Sequence, residues 1–200
     1  MEKSSWEGVY RNNVAETLPW FSPELDQEIR DFINKNKIKK GKFLDLGTGP
    51  GTQAIELAKL GFEVTAVDIS QTAIEKAEKR AVIEKVKIQF FVDDILNTKL
   101  KPKQFDFIYD RGVFHTFDPK DRERAVKTIR SIIKDNGIYF VKVFSTKTPG
   151  TEGPYRFTKE QIRYYFEKDF EILSIKDSVY PGTLFEIPKT LFCVMKPKAR

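Results

Sequence analysis

Phe43-Leu44-Asp45-Leu46-Gly47-Thr48-Gly49-Pro50-Gly51-Thr52 is a short apolar run, broken by one carboxylate, that opens into three alternate glycines. Gln53-Ala54-Ile55-Glu56-Leu57-Ala58 follows at once and reads as a helix. A strand that turns through glycines into a helix lets the main chain approach a ligand closely at the helix N-terminus. The spacing is G-x-G-x-G, with Thr52 where a dinucleotide fingerprint carries its third glycine. Asp45 stands two residues before the first glycine. In a dinucleotide site a pyrophosphate lies there, and a carboxylate beside it repels the ligand. A ligand with a cationic group in that place is favoured by it.

Outward from this loop the chain alternates strands and helices. Ser22-Pro23-Glu24 reads as a helix start, running to about Asn36. Phe62 to Val67 alternates into Asp68, a carboxylate at the end of a second strand, and Ser70 caps a helix through about Glu84. Lys87 to Val92 is a third strand, ending in Asp93-Asp94-Ile95, and Phe105 to Tyr109 a fourth, ending in Asp110-Arg111-Gly112. A helix opens at Asp118-Pro119 and is expected to stop at Asp135-Asn136-Gly137, with the glycine as its C-terminal cap. Ile138 to Phe144 is a fifth strand, Thr158-Lys159-Glu160-Gln161 a capping box, and Phe170 to Ile175 and Leu191 to Met195 the last strands. The fold class expected is α/β: a Rossmann-like, seven-stranded, mostly parallel sheet with helices on both faces and a C-terminal antiparallel return. Ligands in such sheets sit beyond the carboxyl ends of the strands, so the candidate chemistry falls on one edge. Trp6 to Phe21 shows no helical or strand period but carries Trp6, Tyr10, Trp20 and Phe21, and residues 1–21 read as an aromatic arm or flap on a domain over 22–200.

Two hundred residues suit one domain with its own core. The lone Cys193 excludes an intrachain disulfide, and with one histidine no metal site is expected. No leader and no long apolar run is visible, so the expected location is cytoplasmic, with no membrane partner. The net charge of +6 and the cluster Lys35 to Lys42 could serve nucleic acid. Elsewhere, however, acids and bases alternate, as on solvated helix faces, which argues against nucleic acid as a partner.

S-adenosylmethionine carries an ammonium and a sulfonium where a dinucleotide carries phosphates, so Asp45 favours the methyl donor over NAD. The order Leu44-Asp45-Leu46-Gly47-Thr48-Gly49-Pro50-Gly51, Asp68, Asp94-Ile95 and the terminal strand return resembles the class I S-adenosylmethionine-dependent methyltransferases. Within that class, Tyr109-Asp110-Arg111-Gly112-Val113-Phe114 and Gly153-Pro154-Tyr155-Arg156-Phe157 are similar to the thiopurine, thiol and halide enzymes and the tellurite-resistance methyltransferases. The resemblance implies that Gly47, Gly49 and Gly51 border the methionine part of the cofactor and that Asp45 lies near its ammonium. Asp68 would take the ribose, Ile69 the adenine, and Asp94 with Ile95 the adenine amino group. Arg111 corresponds to an arginine near the acceptor. Alternatives stand beside these: Asp93 in place of Asp94, and a structural ion pair for Arg111. His115, the one residue titrating near neutrality, is either a general base or an ordinary hydrogen-bonded histidine.

The activity expected is methyl transfer to a small-molecule nucleophile, thiol-like or another polarisable anion, by alignment of donor and acceptor. Cys193 lies on the last strand, away from the place of a covalent nucleophile, and Asp110-Arg111-Gly112-Val113 is not a base-clamping N-P-P-Y type of sequence. An RNA methyltransferase and a noncatalytic S-adenosylmethionine-binding protein are the rival readings.

Overall fold

The computed structural model describes residues 3–151 and 153–199, so the outermost residues of the stretches expected over 1–21 and 22–200, and Glu152, lie outside the described residues. It divides into two compact units, one of Met1–Asp94 with Pro181–Phe185, the other of Ile95–Tyr180 with Glu186–Arg200.

The first unit is built on a parallel ladder in the order β3-β2-β1, with β1 Lys42–Leu46, β2 Glu63–Asp68 and β3 Gln89–Val92. Phe43, Leu44, Val64, Ala66 and Val67 are all buried, the near-continuous apolar pattern of strands covered on both faces. Helices α3 (Thr52–Lys59) and α4 (Gln71–Ile83) supply the crossovers. Ala73, Ile74, Ala77 and Ala81 form the buried stripe of α4, and Ser70 caps it by accepting the Ala73 N–H, as expected.

Two expectations fail in this unit. Residues 6–12, expected to show no period, lie in helix α1 (Lys3–Asn12). Trp6, Val9 and Tyr10 stand at i, i+3 and i+4 and pack with Leu18, Trp20, Phe21 and Ala73. The stripe is one helix turn wide, too short to announce itself without its partner helix. The helix expected from Ser22 begins instead at Gln27, as α2 (Gln27–Lys35). The Ser22 hydroxyl donates to the Glu24 carbonyl (3.3 Å), closing a local turn in place of a cap.

The second unit has the order β4-β5-β8-β7, with β4 Phe105–Arg111, β5 Ile133–Ser145, β7 Phe170–Val179 and β8 Lys189–Pro197. β4 and β5 are parallel, and β5–β8 and β8–β7 antiparallel, which is the expected return. A short β6 (Arg156–Phe157) pairs with β5 and was not anticipated. Helix α5 (Pro119–Ile132) follows Asp118, and α6 (Lys159–Phe166) opens on the expected Thr158/Gln161 capping box with both bonds made.

Gly137 does not cap α5. The helix ends at Ile132 and β5 runs through Asp135-Asn136-Gly137, with its register shifting between Phe105↔Ile133 and Phe107↔Ile138. A Cβ at Gly137 would stand 2.7 Å from Ile133 Cγ1 and 2.9 Å from the Asp106 carbonyl, so close main-chain approach in a bulge calls for the glycine. Both units together give the Rossmann-like α/β fold.

Candidate functional site

In the first unit β1 ends in the glycine loop, and Gly49 and Gly51 take left-handed φ of 52° and 80°. A Cβ at Gly51 would approach that of Ala77 to 2.9 Å, so the loop lies flush on α4. Its amides are occupied within the protein. Gly47 and Thr48 N–H both donate to the Val67 carbonyl (2.8 and 2.9 Å), Gly51 N–H to the Thr48 carbonyl (2.9 Å), and Gly49 N–H to Asp68 Oδ2 (2.9 Å). A phosphate cradle needs such donors free.

Two buried carboxylates set the charge instead. Asp45 accepts from the Thr48 hydroxyl at 2.6 Å. Asp68 accepts Gly49 N–H and, through Oδ1, Ser70 N–H at 2.9 Å. Burial outweighs these bonds and pushes the Asp68 pKa up to about 6. This pair of acceptors fits a ligand with cationic groups and ribose hydroxyls. Ile69 is half-buried beside it, and Asp93 N–H donates to the Asp68 carbonyl at 3.0 Å, tying the ends of β2 and β3 together next to the half-buried Asp94.

Glu7 and Tyr10 are the residues that sequence reasoning missed here. Glu7 accepts from Ser70 Oγ (2.7 Å), Thr72 Oγ1 (2.5 Å) and Thr72 N–H (3.2 Å). These bonds lower its pKa to about 2. The Tyr10 hydroxyl lies 2.8 Å from where a Cβ of Gly49 would stand. The signal that could have found them was the spacing of Trp6, Val9 and Tyr10.

In the second unit Ile95 is buried in the 3-10 turn Ile95–Asn97. Arg111 ends β4 with its guanidinium 4.2 Å from the centre of the Tyr180 ring, and the Tyr180 hydroxyl donates to the Arg111 carbonyl at 2.8 Å. Asp110 is fully buried and holds the following turn. It accepts Val113 N–H (2.7 Å), Phe114 N–H (3.1 Å) and the Tyr139 hydroxyl (3.1 Å), while burial pushes its pKa up to about 7. His115 is buried. Its Nδ1 accepts Phe144 N–H at 3.1 Å, and burial, with the Arg111 charge second, lowers its pKa to about 3. A base whose lone pair is bonded to a main-chain amide is poorly placed to take a proton. The geometry corresponds to the ordinary hydrogen-bonded alternative for this residue.

The loop carrying Gly153-Pro154-Tyr155-Arg156 is pinned over this turn. Tyr155 N–H donates to the His115 carbonyl (2.8 Å) and its hydroxyl to Asp118 (2.9 Å). The buried Arg122 guanidinium lies 4.5 Å from the Tyr155 ring and 4.7 Å from the Phe157 ring. Among the neighbouring aromatics Phe114 is core, packed on Phe166 at 4.7 Å, and in the first unit Trp6 and Trp20 pair edge to face at 5.6 Å. Cys193 is buried in β8 and its thiol is pushed up to about 12, which removes it as a nucleophile.

A family model described as a methyltransferase domain matches residues 43–137, from the first residues of β1 into β5. The chain is 31% identical over 187 residues to EEF1A lysine methyltransferase 2 of Danio rerio, a match covering 86% of this chain and 76% of that protein. It is 24% identical over 180 residues to a probable thiol methyltransferase 2 of Arabidopsis thaliana, covering 89% of this chain and 80% of the relative. The solved structure of an S-adenosylmethionine-dependent methyltransferase from Methanosarcina mazei superposes with a TM-score of 0.75 at 19% identity, over 86% of this chain and 98% of that one. A loop whose amides are satisfied internally, with two buried carboxylates beside it, suits the cofactor of that family. The chain belongs to the class I S-adenosylmethionine-dependent methyltransferases.

Proposed function

We propose that the methyl acceptor is a small molecule with an ionisable or polarisable nucleophile, of which a thiol is the model, and that Arg111 favours its anionic form. The cofactor supplies an electrophilic methyl group on a sulfonium that leaves readily. The chain then has to hold that cofactor, align the acceptor and exclude water. In this reading Asp45 takes the ammonium, the Gly47-Gly49-Gly51 main chain borders the methionine part, Asp68 accepts from the ribose, and Ile69 and Asp94 contact the adenine. His115 positions the turn that follows Arg111 and removes no proton.

The observation that carries the acceptor class is the charge at the end of β4. Arg111 supplies a cation held over Tyr180, while the neighbouring Asp110 is committed to amides and to Tyr139. A cation lowers the pKa of a nearby thiol and favours the attacking thiolate. It does not welcome a protonated amine.

A second reading, transfer to a protein lysine, is favoured by the 31% identity to the EEF1A lysine methyltransferase 2. One experiment separates the two. Isotope-labelled S-adenosylmethionine is offered with thiols, halides, selenite, tellurite and small amines in parallel with EEF1A protein. Label in volatile or thioether products supports the small-molecule acceptor, and label confined to a protein lysine replaces it.

A further inference from the structure

Glu7 makes more bonds than the packing of a surface helix requires. Its carboxylate, on the second turn of α1, collects three donors from the first residues of α4, at Ser70 and Thr72, and also pairs with Arg11 at 3.1 Å. Those donors directly follow Asp68 in the chain. An acid at a helix N-terminus is favoured by the unpaired amides there, so the attachment is electrostatic as well as geometric. One turn further along α1, Tyr10 is buried with its hydroxyl against Gly49. The far end of α1 is fixed too: Lys76 Nζ donates to the Tyr10 carbonyl (2.5 Å) and the Asn13 carbonyl (2.6 Å), satisfying carbonyls that a helix end leaves open. Helix α1 is thus fastened to the start of α4 at its middle, by Glu7, and to Lys76 at its C-terminal end, where Tyr10 touches the glycine loop.

We propose that α1 is a wall of the S-adenosylmethionine pocket, in which Tyr10 closes the glycine-loop end and Glu7 is the positioning residue that holds the wall against α4. Cofactor and demethylated product then exchange only when the Glu7 contacts with Ser70 and Thr72 open. The inference rests on the assignment of Asp68 and the glycine loop to the cofactor. It adds two residues to the cofactor site and makes the strength of one carboxylate latch a determinant of product release.

The test measures release of S-adenosylhomocysteine from the full chain by stopped-flow displacement, with hydrogen exchange of amides 5–12 followed with and without that ligand. Expected results are slower exchange in α1 when the ligand is bound and a dissociation rate raised at least tenfold by Glu7→Ala. Glu7→Gln, which keeps an acceptor oxygen, should raise it less. Tyr10→Phe should weaken binding severalfold with the melting temperature held. A merely structural role for Glu7 would lower the melting temperature and leave the release rate of the folded fraction unchanged, and that result overturns the proposal, as does unaltered exchange in α1 on binding. If Glu7→Ala does not fold, the wild-type exchange experiment and Tyr10→Phe decide. Failure of the wild type to bind S-adenosylhomocysteine at all would remove the cofactor assignment and this proposal with it, an outcome distinct from unchanged release.

Discussion

The Gly49 amide donates to Asp68 Oδ2 at 2.9 Å, so the carboxylate that ends β2 also fixes the middle of the glycine loop that follows β1. In the proposed reading, one side chain therefore serves both cofactor binding and loop geometry. Asp68→Ala removes a charged acceptor and leaves two buried amides without a partner, and S-adenosylhomocysteine affinity should fall by about 1.5–3 kcal/mol with a parallel loss of stability. Calorimetry on wild type and mutant checks it, and unchanged affinity would take Asp68 out of the site.

The raised pKa of Asp68 gives a pH dependence of defined sign. The folded, ligand-free protein holds the proton up to about pH 6, whereas the unfolded chain releases it near the ordinary value of 3.8. Stability from this group accordingly falls as pH rises between those values. Ribose hydroxyls donate to the ionised form, so affinity for S-adenosylhomocysteine should climb from pH 5 to 7 and level off. The climb should be absent in Asp68→Asn.

Asp110 gives a second falling limb. Its pKa of about 7 lies above the unfolded 3.8, so the folded state again binds the extra proton, and stability declines with rising pH across that window. Asp110→Asn should be costly at pH 4 and less so at pH 7, because the wild type loses ground over the same range. Tyr139→Phe removes one donor to Asp110 and should cost about 1 kcal/mol. Chemical denaturation at both pH values measures each.

His115 acts with the opposite sign. Its folded pKa of about 3 lies below the ordinary 6.5, so its contribution is complete above pH 6.5 and is lost as pH falls toward 3. No inflection between pH 5 and 8 in the pH-rate profile should disappear on His115→Gln. His115→Ala leaves the Phe144 amide without its acceptor and should lower stability by about 1–3 kcal/mol. A neutral-pH inflection that vanishes with the histidine would restore the general-base reading.

Arg111→Ala should cut kcat/KM for thiol-like acceptors by at least tenfold, about 1.4 kcal/mol, while leaving S-adenosylhomocysteine affinity nearly intact. Arg111→Lys keeps the charge but loses the planar contact with Tyr180 and should fall between. Equal losses with neutral amines and thiols would end the thiolate role.

The parallel ladders were legible because buried parallel strands are continuous apolar runs that end in glycine or carboxylate, as at Leu46-Gly47 and Val67-Asp68. Local chemistry also fixed the Ser70 cap and the Thr158 capping box, since both depend only on residues three apart. What failed depended on distant partners. Helix α1 has one buried turn that means nothing until Ala73 and Lys76 of α4 are beside it. Gly137 carries the composition of a helix cap, but its need for glycine comes from the Asp106 carbonyl on another strand. His115 shows the same limit for the site. Its residue type suggested a base, and the Phe144 amide that occupies Nδ1 lies 29 residues further along the chain.

The Thr183 hydroxyl donates to the Leu18 carbonyl (3.1 Å) and the Thr183 amide to the Pro19 carbonyl (3.2 Å), a link across 165 residues. A Cβ at Gly182 would collide with the same Pro19 carbonyl, so no other residue fits that approach. The unit that carries the glycine loop is therefore discontinuous, and its last piece, Pro181–Phe185, is made long after the rest. During synthesis from the N-terminus, residues 18–20 wait for their partner until residue 183 has cleared the ribosome, and a contact of such sequence separation is slow to close. The nascent chain thus carries the Leu18 and Pro19 carbonyls without these donors through most of translation, while the aromatic cluster of Trp6, Tyr10 and Trp20 can already close on Ala73.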